Sequence, residues 1–156
     1  MELWKPGEGI VEFPSGRRVR GRSWKTKVSQ DASLSVVLTT AVGKAFSNHG
    51  VLLTAQETVM IDWPDYRLPR RPSQAARILR DAWERAASER VEITCGGGVG
   101  RTGTALAILA LYEGMDAEEA VEFVRRNYHP DAVLSHAQSG FLRGFTYYRE
   151  SLDCGS

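Results

Sequence analysis

Residues 91–113 constrain this chain more than any other segment. Val91-Glu92-Ile93-Thr94 is a short run that reads as a strand, and Cys95-Gly96-Gly97-Gly98-Val99-Gly100 follows with four glycines in six residues. From Arg101 to about Glu113 the pattern is helical and apolar almost all round, through Ala105, Leu106, Ile108, Leu109 and Leu111, until Gly114 stops it. A helix with no polar face has to be buried on every side, so this one is expected at the centre of the molecule. The rest of the fold must then be arranged around a strand, a glycine loop and a central helix.

The flanking sequence supplies the other elements. Residues 10–24 read as a β-hairpin: Ile10 to Phe13, a Pro14-Ser15-Gly16 turn, then Arg17 to Trp24. Arg17, Arg18, Arg20 and Arg22 alternate imperfectly along the second strand and are expected on a solvated face. Leu34 to Leu38 predicts a short buried strand, residues 43–49 a helical turn or loop, and Val51–Leu53 and Thr58–Ile61 two further strands. Two prolines exclude regular structure from 62–69. Ser73 is the expected N-cap of a helix whose apolar face is Ala75, Ile78, Leu79, Ala82, Trp83 and Ala86. Asp116 with Glu119 forms a capping-box pattern for a helix ending near Asn127, and Ser135 opens a last helix with Phe141, Leu142 and Phe145 inward. Strands that alternate with helices predict an α/β fold, with helices on the faces of a sheet. With 156 residues and no internal repeat or linker, a single domain over 1–156 is expected.

Charge and cysteine usage narrow the function classes. A net charge of +1 gives no global field to recruit nucleic acid or an anionic membrane, so attraction for anions must be local. The opening Met-Glu-Leu-Trp-Lys-Pro lacks the basic and apolar regions of a signal peptide, and the apolar run from Ala105 to Tyr112 is too short to span a bilayer. The two cysteines, Cys95 and Cys154, are no disulfide framework, which favours a reducing cytoplasm, although a bond between them could form under oxidation.

The glycine loop is suited to holding a phosphate. Glycines permit positive φ and close approach of backbone, so the N–H groups from Gly96 to Gly100 can turn inward as an anion nest. The helix that opens at Arg101 adds its unpaired N–H donors and the positive end of its dipole. A thiol at the start of such a cradle sits among groups that favour thiolate, the form that attacks phosphorus, and Cys95 is therefore the candidate nucleophile. Arg101, six residues on, can bind two phosphoryl oxygens at once with its planar fork. Thr102 offers a hydroxyl that can donate to the thiolate or to the departing sulfur. The competing reading is a Walker A loop, Gly-x-x-x-x-Gly-Lys-Ser/Thr. Gly100 and Thr102 match it, but Cys95 stands for its first glycine and Arg101 for the lysine that reaches the β- and γ-phosphates.

Cys-x-x-Gly-x-Gly-Arg-Thr-Gly between a strand and a helix resembles the signature loop of the protein tyrosine and dual-specificity phosphatases. Two further segments match that family in order. Trp63-Pro64-Asp65, with Pro69 beyond it, resembles the family's mobile Trp-Pro-Asp loop, which implies that Asp65 protonates the leaving oxygen and later serves as base toward water. Asp62 is the competing carboxylate, outside the tripeptide pattern. Pro130 to Gln138 resembles the stretch that ends in the family's glutamine, which implies that Gln138 positions the hydrolytic water; a Ser135-x-x-Gln138 cap is the plainer role for the same residues. The resemblance covers residues 34–149 and leaves 1–30 as an N-terminal hairpin extension. It implies a central, mostly parallel sheet flanked by helices, no metal or other cofactor, and a covalent phosphocysteine mechanism. Chain length fits the compact dual-specificity-like members.

Two departures stand out. The family usually has histidine before the cysteine, and here it is Thr94. An arginine commonly precedes the proline that matches Pro130, and here it is His129, expected to be a helix-end or packing residue, as His49 and His136 are. No His/Cys/Asp cluster has metal-ligand spacing. The loop interior Gly96–Gly100 carries no lysine or arginine, which favours a singly phosphorylated substrate such as a phosphotyrosine protein. Arg67, Arg70 and Arg71 follow the acid loop, and whether they reach the rim or form a solvated loop leaves a polyphosphorylated metabolite or phosphoinositide open. A module that binds phosphate esters without turnover is the alternative to an enzyme.

Overall fold

The structure, a computed structural model, describes residues 2–28, 30–40, 55–64, 67–133 and 138–145. Among the described residues there are five strands: β1 (Ile10–Glu12), β2 (Arg18–Ser23), β3 (Ala32–Thr39), β4 (Ala55–Asp62) and β5 (Val91–Cys95). The helices are α1 (Pro72–Arg85), α2 (Gly100–Tyr112), α3 (Ala117–Asn127) and α4 (residues 138–145). The strands form one sheet in the order β1-β2-β5-β3-β4. β1 and β2 are antiparallel, and every other pair is parallel. This is the α/β architecture expected: a mostly parallel sheet flanked by helices. The helical turn expected at 43–49, the strand at 51–53 and the helix start at Ser135 lie outside the described residues.

The parallel core follows from burial. All eight residues of β3 and all five of β5 are buried, the pattern of strands covered on both faces. β5 lies between β2 and β3, with Val91 opposite both Val19 and Leu34. Against the opposite end of β5, Ser23 is the register partner of Cys95. The hairpin turn closes through Gly16, whose N–H donates to the Phe13 carbonyl at 2.8 Å at a φ of +92°.

The arginines of β2 correct the expectation of a solvated strand face. Arg20 and Arg22 are buried, because β2 is an interior strand and β5 presents Glu92 on the same face. Glu92 accepts from Arg20 Nη2 at 2.7 Å, from Arg22 Nε at 2.8 Å and from the Ser35 hydroxyl at 2.9 Å. Burial pushes the Glu92 carboxyl up, but the bonds and charges of Arg22 and Arg20 outweigh it and hold the group below the usual carboxylate range. Sequence alternation placed the arginines on one face; only the pairing partner, seventy residues away, decides what that face meets.

The helices pack as their apolar patterns predict, with one difference. Pro72 opens α1 and Arg71 is its N-cap without a side-chain bond, so Ser73 lies inside the first turn. Proline has no N–H to lose at the first helical position, and its fixed φ suits the helix start. Ala75, Ala76, Leu79 and Ala82 face the core, with Ile78 and Trp83 packed at its margin. In α2 every residue from Gly100 to Leu111 is buried, and α1 and α3 both pack against it. Asp116 caps α3 by accepting from Glu119 N–H at 2.8 Å. Phe141, Leu142 and Phe145 of α4 are buried; Phe145 meets Tyr112 edge-on at 5.6 Å and Phe141 meets Trp63 at 6.4 Å. These ring contacts bring α4 against both α2 and the segment that follows β4.

Candidate active site

The site is built where β5 ends and α2 begins. Cys95, the last residue of β5, is 2 % exposed. Its sulfur receives two hydrogen bonds, from Gly98 N–H at 3.1 Å and from the Thr102 hydroxyl at 3.0 Å. Both partners are donors, which is what a sulfur anion needs from its surroundings. Gly98 has φ of +71°, and a side chain there would collide with the backbone at Ser23, so the turn requires glycine on two counts. Gly97 is exposed at the tip of the loop, and Gly96 and Val99 are half-buried. Gly100 and Arg101 form the first turn of α2, whose unpaired N–H groups lie at this end.

Arg101 is buried and held from two directions. Its Nη1 donates to the Trp63 carbonyl at 3.0 Å, and its guanidinium lies 6.0 Å from the Trp24 ring centre. Trp63 is fully buried; its indole N–H donates to the Arg67 carbonyl at 2.8 Å and its backbone N–H to the Thr39 carbonyl. The segment after β4 is thereby fixed to the phosphate-loop helix at Trp63. Asp65 itself lies outside the described residues. Asp62, the competing carboxylate, is half-exposed and sits 3.6 Å from Arg70 Nε. Arg67 and Arg71 are exposed.

Gln138 is fully buried, and its Oε1 accepts from the Thr104 hydroxyl at 3.2 Å, on the turn of α2 after Arg101. Nearby, a side chain on Gly103 would come within 2.5 Å of Ala132 Cβ, so α2 needs glycine where that segment crosses it. His129 closes the end of α3, its Nδ1 accepting from Asp131 N–H at 3.0 Å. Thr94, the residue before Cys95, is fully buried, and among the described residues its hydroxyl has no hydrogen-bond partner.

Three residues that the sequence does not single out for the site contact the loop from outside. The Ser23 hydroxyl donates to the Gly96 carbonyl at 2.6 Å, and Trp24 N–H donates to the Cys95 carbonyl at 3.2 Å. The Tyr128 hydroxyl donates to the Gly98 carbonyl. Burial first, and then the electrostatic effect of the neighbouring Cys95, push the Tyr128 hydroxyl's pKa well above its ordinary value, so it stays a donor. No local pattern singles these residues out. Their only sequence signal is position, at the end of β2 and just past α3. Among the described residues, no group of three or more His, Cys, Asp or Glu side chains is placed to hold a metal ion.

Comparison with known proteins converges on one family. The family model for protein-tyrosine phosphatase matches residues 18–138, and so takes in β2 as well as the glycine loop. Receptor-type tyrosine-protein phosphatase C from Homo sapiens is 37% identical over 62 residues, a match that spans 38% of this chain and 5% of that protein. Among solved structures, Tk-PTP in a glycine-to-alanine mutant form is 27% identical with a TM-score of 0.66, covering 91% of this chain and 97% of Tk-PTP. Human DUSP28 shares the fold, with a TM-score of 0.62 at 14% identity over 96% of this chain and 97% of its own.

Proposed function

Because the chain belongs to the protein-tyrosine phosphatase family, we propose that it hydrolyses phosphomonoesters through a phosphocysteine formed at Cys95. One observation carries the reading: the Cys95 sulfur accepts from both Gly98 N–H and the Thr102 hydroxyl at the mouth of a loop that opens onto Arg101. In the first step Sγ attacks phosphorus, the S–P bond forms and the P–O bond to the leaving group breaks. Asp65 gives its proton to the departing oxygen. Arg101 and the N–H groups of residues 96–100 bind the three equatorial oxygens as their charge redistributes. In the second step a water positioned by Gln138 gives its proton to Asp65 and attacks phosphorus. The P–S bond breaks, the sulfur leaves as thiolate with Thr102 donating to it, and orthophosphate departs.

The substrate in this reading is a phosphorylated protein, with phosphotyrosine first. Gly96–Gly100 supply no lysine or arginine for a second phosphate, and Arg67 and Arg71 stand exposed nearby in sequence to the acid loop. A phosphorylated metabolite or phosphoinositide is the alternative that those arginines keep in play. The proposed setting is the cytoplasm, with neither nucleic acid nor a membrane as partner; among the described residues no helix is long and apolar enough to cross a membrane.

A second reading, a module that captures phosphate esters without turnover, is favoured by one feature. Among the described residues the buried Thr94 hydroxyl has no partner, and it stands beside the nucleophile where the family resemblance implies histidine. Hydrolysis of p-nitrophenyl phosphate with a chelator present separates the two. Activity in the wild type that vanishes in Cys95→Ser supports the enzyme. A folded, reduced wild type that binds orthophosphate and turns over nothing between about pH 5 and 8, where a group titrating near neutrality would be active, supports the module.

A further inference from the structure

We propose that Tyr128 and Ser23 are positioning residues that hold the phosphate loop in its binding form by gripping its carbonyl groups from outside. This inference rests on the reading of residues 95–101 as the phosphate site and adds residues outside it.

The argument is one of peptide geometry. In a trans peptide the carbonyl of one residue and the N–H of the next point in opposite directions from one rigid plane. The loop's peptide bonds are trans. Whatever holds the Gly98 carbonyl therefore also aims Val99 N–H, and whatever holds the Gly96 carbonyl aims Gly97 N–H. The Tyr128 hydroxyl takes the first and the Ser23 hydroxyl the second. Trp24 N–H takes the Cys95 carbonyl, and so aims Gly96 N–H. These holders come from β2, the turn after it and the end of α3. The three amides are accordingly turned away from those elements, toward the side of the loop left for phosphate.

Such outside holding has a physical need. A segment with three consecutive glycines and a fourth close by has little intrinsic preference for one set of peptide orientations, and glycine loses the most freedom when one is imposed. Hydrogen-bond donors that are fixed before the ligand arrives cost no reorganisation at the moment of reaction. The Tyr128 ring is itself built in: a side chain on Gly21 would lie 2.5 Å from its Cε1, so the strand leaves room for the ring. His129 caps its own turn, its Nδ1 accepting from Asp131 N–H at 3.0 Å. The neighbouring tyrosine is the residue of this segment that reaches the loop.

Tyr128→Phe removes the hydroxyl and keeps the ring against Gly21. The inhibition constant of orthophosphate should rise and kcat for p-nitrophenyl phosphate should fall, each by about tenfold, less than the ~10²–10³-fold cost of deleting an oxyanion donor outright. The amide signal of Val99 should lose its response to orthophosphate. A role in folding alone would lower the melting temperature and leave these three readouts unchanged well below it. Ser23→Ala repeats the test with the Gly97 amide and serves if Tyr128→Phe does not fold. A variant pair with wild-type inhibition constants, turnover and amide responses overturns the inference while leaving the hydrolase reading intact. A wild type that binds orthophosphate without turnover, and loses the Val99 response in Tyr128→Phe, upholds the inference and overturns the hydrolase. A wild type that neither binds nor hydrolyses overturns both.

Discussion

Arg101 Nη1 lies 3.0 Å from the Trp63 carbonyl, a contact that joins the start of α2 to the segment leading into Asp65. The guanidinium has five donors in a fixed plane, enough to hold that carbonyl and still present a fork to two phosphoryl oxygens. A lysine at this position can do one or the other. Arg101→Lys is expected to lower kcat/KM by ~10²–10³-fold, the scale of a lost transition-state donor, and to weaken orthophosphate binding in parallel. Steady-state kinetics with product inhibition measures both; a loss of less than tenfold would remove Arg101 from the clamp role.

Asp65→Asn tests the proton donor. The loss in kcat should reach ~10²–10⁴-fold for phenyl phosphate and be smaller for p-nitrophenyl phosphate, whose leaving group needs less help from an acid. Equal losses on the two substrates would assign the proton elsewhere, with Asp62 the next carboxylate to test.

Thr94→Val keeps the shape of a buried side chain and removes a hydroxyl that has no partner among the described residues. Since a buried unsatisfied polar group costs about 1–3 kcal/mol, the variant should unfold at higher urea, by roughly 1 kcal/mol in stability, with activity within twofold of wild type. A less stable variant would show that the hydroxyl is bonded in the folded protein, and a less active one that it serves the site during turnover.

Glu92 links the fold to pH. Its carboxyl is held below the ordinary value in the folded chain, so its contribution is fully present above the unfolded-state value near 4.5 and is lost as pH falls through the folded value. Acid unfolding of the wild type should therefore steepen below about pH 4.5. Glu92→Gln should be destabilised at neutral pH by roughly 3–5 kcal/mol, because the buried Arg20 and Arg22 would lose the carboxylate that both bind. It should also show a shallower slope in the acid window. Chemical denaturation across pH 3–7 reads both effects, and parallel curves for the two proteins would contradict the role.

The parts of this molecule that could be read from sequence are those set by local rules. The central helix was legible because Ala105 to Leu111 offers no polar face, and the phosphate loop because Cys95, its glycines, Arg101 and Thr102 are contiguous. Ser73 lies inside the helix and not at its cap because Pro72 takes the first helical position, two residues before the start that a Ser73 cap would set. Arg20 and Arg22 were given to solvent because nothing near them in sequence shows that Glu92 will lie across from them. Ser23, Trp24 and Tyr128 were invisible for the same reason: each acts on the loop only after β2 has paired with β5 and α3 has packed on α2. Asp65 and Gln138 differ again, since their roles came from likeness to a family and not from any local pattern.

The strand order has a consequence for how the chain comes together. β2 and β3 follow one another in sequence but do not pair; β5 enters between them. A nascent chain that has made β1 to β4 holds two half-sheets, one of β1 and β2 and one of β3 and β4, with no strand to join them. The wedge that unites them carries the cysteine at its tip. Folding must wait for contacts of long sequence separation, which are slow to form, and the Cys95 thiol takes up its buried position in the same event that completes the sheet.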